Sequence, residues 1–242
     1  MHSLVTPNPE TAARRAAELI DELIDRNRAT TGTVHVALAG GTTPRRCYEI
    51  LADVRDDWSG VHVWFGDERV VDLGSDDANA HMVDEALVIP AAIPPEQVHR
   101  VPTDLGATGA CAGYEDELRR SVLRRVSGLP QLDIVVLGLG EDAHTASLFP
   151  QSKALEASTT HACMLIEDAP KPPPVRITLT MAMLNAARAR VVLVTGASKA
   201  AAVAAARSAP SDRVPASLLR PDDTTWVLDE AAAATPKANG GT

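Results

Sequence analysis

Aromatic residues are scarce: three Trp, two Tyr and two Phe in 242 residues. An interior of stacked rings is therefore not expected, and the plentiful alanine points to an aliphatic core built by close helix contacts. Cysteine is scarcer still. Cys47, Cys111 and Cys163 are far apart, odd in number and without CxxC or Cys/His metal spacing, so a disulfide scaffold and a zinc site are both disfavoured and a reducing cytoplasm is the simpler setting. No run of about 18 apolar residues occurs, and the N-terminal segment lacks a charged stretch followed by an apolar one, so neither a membrane span nor a secretory leader is expected. There is also no long basic block. With 23 Lys plus Arg against 32 Asp plus Glu, the net charge of −9 argues against nucleic acid or an anionic membrane as the main partner. An anionic ligand would need a local cationic pocket.

What the chain does have is 45% apolar and 23% charged residues, the balance of a soluble globular protein able to bury a sizeable core without disulfides or metals. Asn8-Pro9-Glu10 reads as an N-cap, a first-turn proline and a first-turn carboxylate, opening a helix to about Arg28. Short apolar runs follow at Val34–Leu38, Val61–Phe65, Ile134–Leu137 and Val191–Val194, each ending near a glycine, as strands covered on both faces should. Helices are predicted between them over Arg45–Val54, Ala78–Leu87, Ala107–Val126 and Ser198–Arg207. The alternation predicts an α/β fold: a doubly wound, mainly parallel sheet with helices on both faces. Trp226-Val227-Leu228 is expected as a late edge strand. Residues 1–234 read as one α/β domain and 235–242 as a frayed tail.

In open parallel sheets the ligand crevice lies beyond the carboxyl ends of the strands, so the glycine turns after Leu38, Phe65, Leu137 and Val194 should share one rim. The first, Ala39-Gly40-Gly41-Thr42-Thr43-Pro44, places flexible backbone and two hydroxyls at a helix N-terminus, which suits a phosphate; it is equally readable as a tight connection capped by Thr43. It is neither a Walker loop nor GxGxxG. Gly66-Asp67-Glu68-Arg69 stacks three charges at a strand exit and invites a polar ligand, the alternative being an exposed loop with an Asp67 cap and a surface ion pair. In Gly138-Leu139-Gly140-Glu141-Asp142-Ala143-His144 a carboxylate and an imidazole stand two residues apart at a third exit, a pair able to move protons near neutral pH. Lys199, in a first helical turn, is a cation where the dipole disfavours one, and Arg176 follows Pro172-Pro173-Pro174; each is either a ligand contact or a solvated cation. The other histidines, His2, His35, His62, His81, His99 and His161, have no comparable context and receive no role.

Taken together, these blocks resemble the 6-phosphogluconolactonase family, a relative of glucosamine-6-phosphate deaminase. The resemblance continues from His144 through Thr145-Ala146-Ser147-Leu148-Phe149-Pro150 and includes Asn79, Arg176-Ile177-Thr178-Leu179-Thr180 and Thr195-Gly196-Ala197-Ser198-Lys199. It implies a NagB/RpiA/CoA transferase-like fold and hydrolysis of a small sugar-phosphate lactone, 6-phosphogluconolactone, by a monomer or homodimer without cofactor or metal. By matching positions it implies His144 as the general base, with Asp142 orienting its imidazole. Gly40, Gly41, Thr42, Thr43, Arg69, Arg176 and Lys199 would make the phosphate and oxyanion environment, and Asp67 and Asn79 would shape the sugar pocket. The oxyanion donor is either Arg69 or a backbone N–H. Ser147 has no GxSxG elbow, so a serine hydrolase is disfavoured. Where the deaminase has a glutamate five residues after the histidine, this chain has Phe149, which favours the lactonase over a deaminase-like isomerase; a non-catalytic sugar-phosphate binder is the remaining alternative. The family usually has glycine where this chain has Ala143, whose methyl would restrict a positive φ.

Overall fold

The first helix is set by local chemistry. The Asn8 side chain accepts the Thr11 N–H at 3.0 Å and the Thr11 hydroxyl accepts the Asn8 N–H at 3.2 Å, a reciprocal cap that satisfies two orphan donors. The helix ends at Gly32, whose φ of 73° is the left-handed cap glycine adopts without strain. It therefore runs three residues beyond the expected Arg28.

In this computed structural model, residues 2–156 and 160–235 are described. The strands are β1 (His2–Thr6), β2 (Val34–Leu38), β3 (Val61–Phe65), β4 (Asp67–Arg69), β5 (Arg125–Val126), β6 (Leu129–Pro130), β7 (Ile134–Leu137), β8 (Cys163–Ile166), β9 (Arg176–Leu179), β10 (Ala189–Val194) and β11 (Thr224–Asp229). The helices are α1 (Pro9–Thr31), α2 (Thr42–Val54), α3 (Asn79–Val83), α4 (Gly106–Ser121), α5 (Met181–Ala186), α6 (Ala200–Ala206) and α7 (Glu230–Ala233). A six-stranded sheet in the order β1-β11-β10-β7-β2-β3 is parallel throughout. Connections from β1 to β2 and β2 to β3 step one way along it, whereas those from β3 to β7, β7 to β10 and β10 to β11 step the other way. Right-handed crossovers then place α1 and α2 on one face and α4, α5 and α6 on the other. The direction reverses between β2 and β7, the position at which an open α/β sheet leaves a crevice.

Several expectations need correction. The Trp226 strand is interior, between β1 and β10, and the edge belongs to β1, a mixed His2–Thr6 run without the apolar signature of a covered strand. Asp67–Arg69 does not end in a loop: it turns into a second, antiparallel sheet, β4-β9-β8, none of whose strands was expected, although β8 is a short apolar run. The helix expected over Ala78–Leu87 is α3 continued by one wide turn over Asp84–Val88. The one expected over Ala107–Val126 stops at Ser121, because Arg125–Val126 pairs with Leu129–Pro130 across Ser127-Gly128, both at positive φ. The last begins as a 3-10 turn over Ala197–Lys199, so Lys199 sits at its junction with α6. The tail expected over 235–242 lies, beyond Thr235, outside the described residues.

The core is aliphatic in number, yet its few rings occupy decisive places. Trp64, Trp226, Tyr48, Tyr114 and Phe65 are all fully buried, and Trp64 stacks on His99 with centroids 3.9 Å apart, a ring stack that the composition did not lead us to expect. The Tyr48 hydroxyl accepts the Ala39 N–H and donates to the Ala39 carbonyl, both at 2.9 Å. Tyr114 does the same to Phe65 at 2.8 Å. Each tyrosine thus grips the backbone where β2 or β3 leaves the sheet.

Candidate active site

The crevice at the switch point is a cleft of about 270 Å³. Its walls come from the turn after β2 (Ala39 to Pro44), from β4, from the start of α3, from Gly138 to Gly140 with His144 after β7, from Lys171 and Arg176, and from Leu193 to Thr195 with Lys199 after β10. All the expected site residues except Asp142 line it. Asp142 stands behind His144.

The turn after β2 is shaped by glycine for two separate reasons. Gly41 takes φ 106° as the N-cap of α2, a region closed to most L side chains. A Cβ on Gly40 would lie 1.7 Å from Asn79 Oδ1, so α3 can approach only bare backbone. No side chain caps α2; the expectation of a Thr43 cap fails, and the Thr43 hydroxyl instead lies 3.4 Å from that of Thr195. The free N–H groups and positive end of this 13-residue helix therefore open onto the cleft.

The two carboxylates of β4 are buried and Arg69 is half-buried. Glu68 is fully buried, and its carboxylate accepts the N–H groups of Arg69, Asn79 and Ala80, each at 2.7 Å, while burial pushes its pKa up to about 7. It ties β4 to the start of α3. Asp67 accepts the Ser147 hydroxyl at 2.6 Å, and Asn79 donates to the Asp67 carbonyl at 2.8 Å. Arg69 donates to the Asp77 carbonyl at 2.6 Å, and its buried Nε has no partner among the described residues.

Arg176 is buried, not solvated. It donates to the carbonyls of Pro173 at 2.9 Å, Lys171 at 2.9 Å and Pro172 at 3.3 Å, with Nη1 3.4 Å from the Ser147 hydroxyl. Its first effect is to hold the proline loop that presents Lys171. Lys171, missed by the sequence reading, lines the cleft and lies 3.8 Å from Asp142; the signal available was a lysine directly before three prolines. Lys199 lines the opposite wall. Among the described residues its ammonium has no hydrogen bond or ion pair, and burial lowers its pKa below the ordinary lysine value.

His144 Nδ1 makes a short hydrogen bond with Asp142 Oδ1. Its ring lies on Phe149, centroids 4.6 Å apart, and Nε2 has no partner among the described residues. Burial lowers the His144 pKa, outweighing the hydrogen bond and charge of Asp142 that raise it. Burial raises the Asp142 pKa, but the hydrogen bond and charge of His144 more than offset this and leave it lowered. The imidazole is thus neutral at pH 7, held through Nδ1 with the other nitrogen available as a base. The loop allows this only tightly: Gly140 has His144 Nδ1 2.0 Å and Asp142 Oδ1 2.4 Å from where a Cβ would stand. Ala143 carries a φ of 63° and is buried, so the methyl does meet the left-handed region. Ala143→Gly is expected to change stability by less than about 1 kcal/mol, strain relief offsetting the looser unfolded chain. Ala143→Val should destabilise by about 2 kcal/mol or more through a β-branched residue at positive φ. Urea denaturation of both variants checks this. Among the described residues, no group of three or more His, Cys, Asp and Glu side chains is arranged to hold a metal ion.

The sequence matches, over residues 7–228, the model of the family described as glucosamine-6-phosphate isomerases/6-phosphogluconolactonase. A 6-phosphogluconolactonase of Nostoc sp. is 36% identical over 95% of this chain and 96% of its own, and one of Streptomyces coelicolor is 36% identical over 92% and 89%. The solved 6-phosphogluconolactonase of Trypanosoma cruzi superposes with a TM-score of 0.86 at 27% identity, over 98% of this chain and 97% of that one. The parallel sheet with its flanking helices is the fold of that neighbour. The chain belongs to the glucosamine-6-phosphate isomerase/6-phosphogluconolactonase family.

Proposed function

We propose that this chain hydrolyses 6-phosphogluconolactone to 6-phosphogluconate, the lactone-opening step of the oxidative pentose phosphate pathway. The observation that carries the reading is a neutral imidazole, tethered through Nδ1 to Asp142, facing a cleft whose other walls offer a helix N-terminus and the Lys199 ammonium. His144 Nε2 takes a proton from water, whose oxygen adds to the lactone carbonyl carbon. The resulting alkoxide is met by Arg69, which lines the cleft, or by a backbone N–H of the rim. When the tetrahedral adduct collapses, the ring C–O bond breaks and the departing oxygen recovers the proton from the imidazolium. A lactone is an activated ester, so orientation plus one base suffices, and Ser147, fully buried and donating to Asp67, is a strut rather than a nucleophile.

The substrate phosphate docks at the Gly41-Thr42-Thr43 helix start with Lys199 and Lys171 closing over it, while Asp67 and Asn79 wall the sugar. Arg176 serves this pocket by fixing the Lys171 loop. The enzyme works in the cytoplasm; among the described residues no helix is long and apolar enough to cross a membrane. The test is hydrolysis of the lactone measured above its spontaneous rate, alongside ammonia release from glucosamine 6-phosphate. Turnover of the first and none of the second is expected; the reverse overturns the reading. Lys199→Ala should raise KM about ten- to a hundredfold, the worth of a charge-assisted hydrogen bond, and flatten the dependence of kcat/KM on salt, whereas Arg69→Ala should act mainly by lowering kcat. Unchanged KM in Lys199→Ala would remove the phosphate pocket.

A further inference from the structure

The lactone chemistry leaves two thiols unused. Cys111 on α4 and Cys163 at the start of β8 are 52 positions apart in the chain, yet their sulfurs lie 3.8 Å apart. Cys163 is buried and Cys111 half-buried. The Cys163 sulfur is also 3.3 Å from the Cys111 carbonyl and 3.7 Å from Glu115 Oε2. Glu115 is itself fixed: it accepts the N–H groups of Ala162 and Cys163 at 2.9 and 3.0 Å and pairs with Arg119 at 2.6 Å. The third cysteine, Cys47, is fully buried without a sulfur partner, and burial pushes its thiol up to about 12.

We propose that Cys111 and Cys163 are a redox-active dithiol, which closes to an intramolecular disulfide when the folded protein meets a peroxide. Exposure assigns the order. The Cys111 sulfur attacks one peroxide oxygen; the O–O bond breaks, a sulfenic acid forms, and the second oxygen leaves as water. Cys163 gives its proton to Glu115 and its sulfur attacks that of Cys111. The S–O bond breaks, and the hydroxide departs as water with the proton that Glu115 held. Two thiols and one peroxide thereby become one disulfide and two waters. The contact between the two sulfurs supports this order, because it lowers the Cys111 pKa and raises that of Cys163. The new bond would stitch α4 to β8, the outer strand of the small sheet whose other strands carry Arg176, Asp67 and Arg69. A covalent link across so long a segment restrains the unfolded chain more than the folded one.

The test treats the folded, full-length protein with hydrogen peroxide, blocks free thiols with iodoacetamide and maps the peptides without reductant. The expected result is a single cross-link between the Cys111 and Cys163 peptides, two hydrogens lighter than the reduced pair, reversed by dithiothreitol, with Cys47 still a thiol. Tm should rise by several degrees on oxidation. Cys111→Ser and Cys163→Ser, or the Ala variants where serine does not fold, should each lose the cross-link and the rise. Sulfinic acid at Cys111 with Cys163 still free, a cross-link that forms only in urea, or a fall in Tm on closure would overturn the proposal.

Discussion

His144→Ala should lose lactone hydrolysis by about 10²–10⁴-fold, the worth of a positioned general base, leaving little above the spontaneous reaction. Affinity for 6-phosphogluconate, followed by calorimetry, should change little, because in the proposed reading the anion docks at the start of α2 with Lys199 and not on the imidazole. Loss of both together would mean that the histidine binds rather than reacts. The pH profile separates the two further. Burial lowers the His144 pKa, so the basic form predominates at neutral pH, and kcat/KM should fall only as pH drops through a midpoint below the ordinary imidazole value. Asp142 opposes that lowering by charge and hydrogen bond. Asp142→Asn should therefore move the acid limb to still lower pH while reducing the plateau, since the ring loses its anionic anchor. An acid limb that moves to higher pH would contradict this geometry.

Gly140→Ala should cost about a hundredfold in kcat without unfolding the protein. The added methyl would stand 2.0 Å from His144 Nδ1 and 2.4 Å from Asp142 Oδ1, closer than any real contact, and these side chains must give way before the backbone does. A displacement of the base by about 1 Å is enough for such a loss. The substrate phosphate is anchored elsewhere, so KM should change far less than kcat, and Tm should fall by only a few degrees. Steady-state kinetics with thermal melts distinguish this from general destabilisation; wild-type kcat would mean that the loop relaxes freely.

What could be read from the sequence follows from what each segment buries. β2, β3 and β7 are covered on both faces, so their apolar runs announced them to the residue. The edge strand β1 and the strands β4 and β9 carry charges or hydroxyls that hide a strand pattern, whereas β8, Cys163–Ile166, is an apolar run as long as β7 that the sequence reading missed. The site was legible where chemistry recurs at strand exits: glycine, then threonine, carboxylate or imidazole. What stayed hidden depends on contacts across the fold. Glu68 reads as a surface charge until the N-terminus of α3 is seen to land on it, and that Arg176, which lines the cleft, also holds the Lys171–Pro173 carbonyls shows only in the fold. The two cysteines looked unrelated because sequence distance says nothing about which helix faces which strand.

The phenol groups of Tyr48 and Tyr114 have a consequence for how such a cleft can diversify. Each closes a tiny hydrogen-bonded ring with a single residue, so β2 and β3 terminate on latches supplied by α2 and α4 that owe nothing to the side chains lining the cleft. The floor of the crevice is consequently insulated from its superstructure. Residues above it can be exchanged to suit another reaction without unravelling the foundation on which they stand.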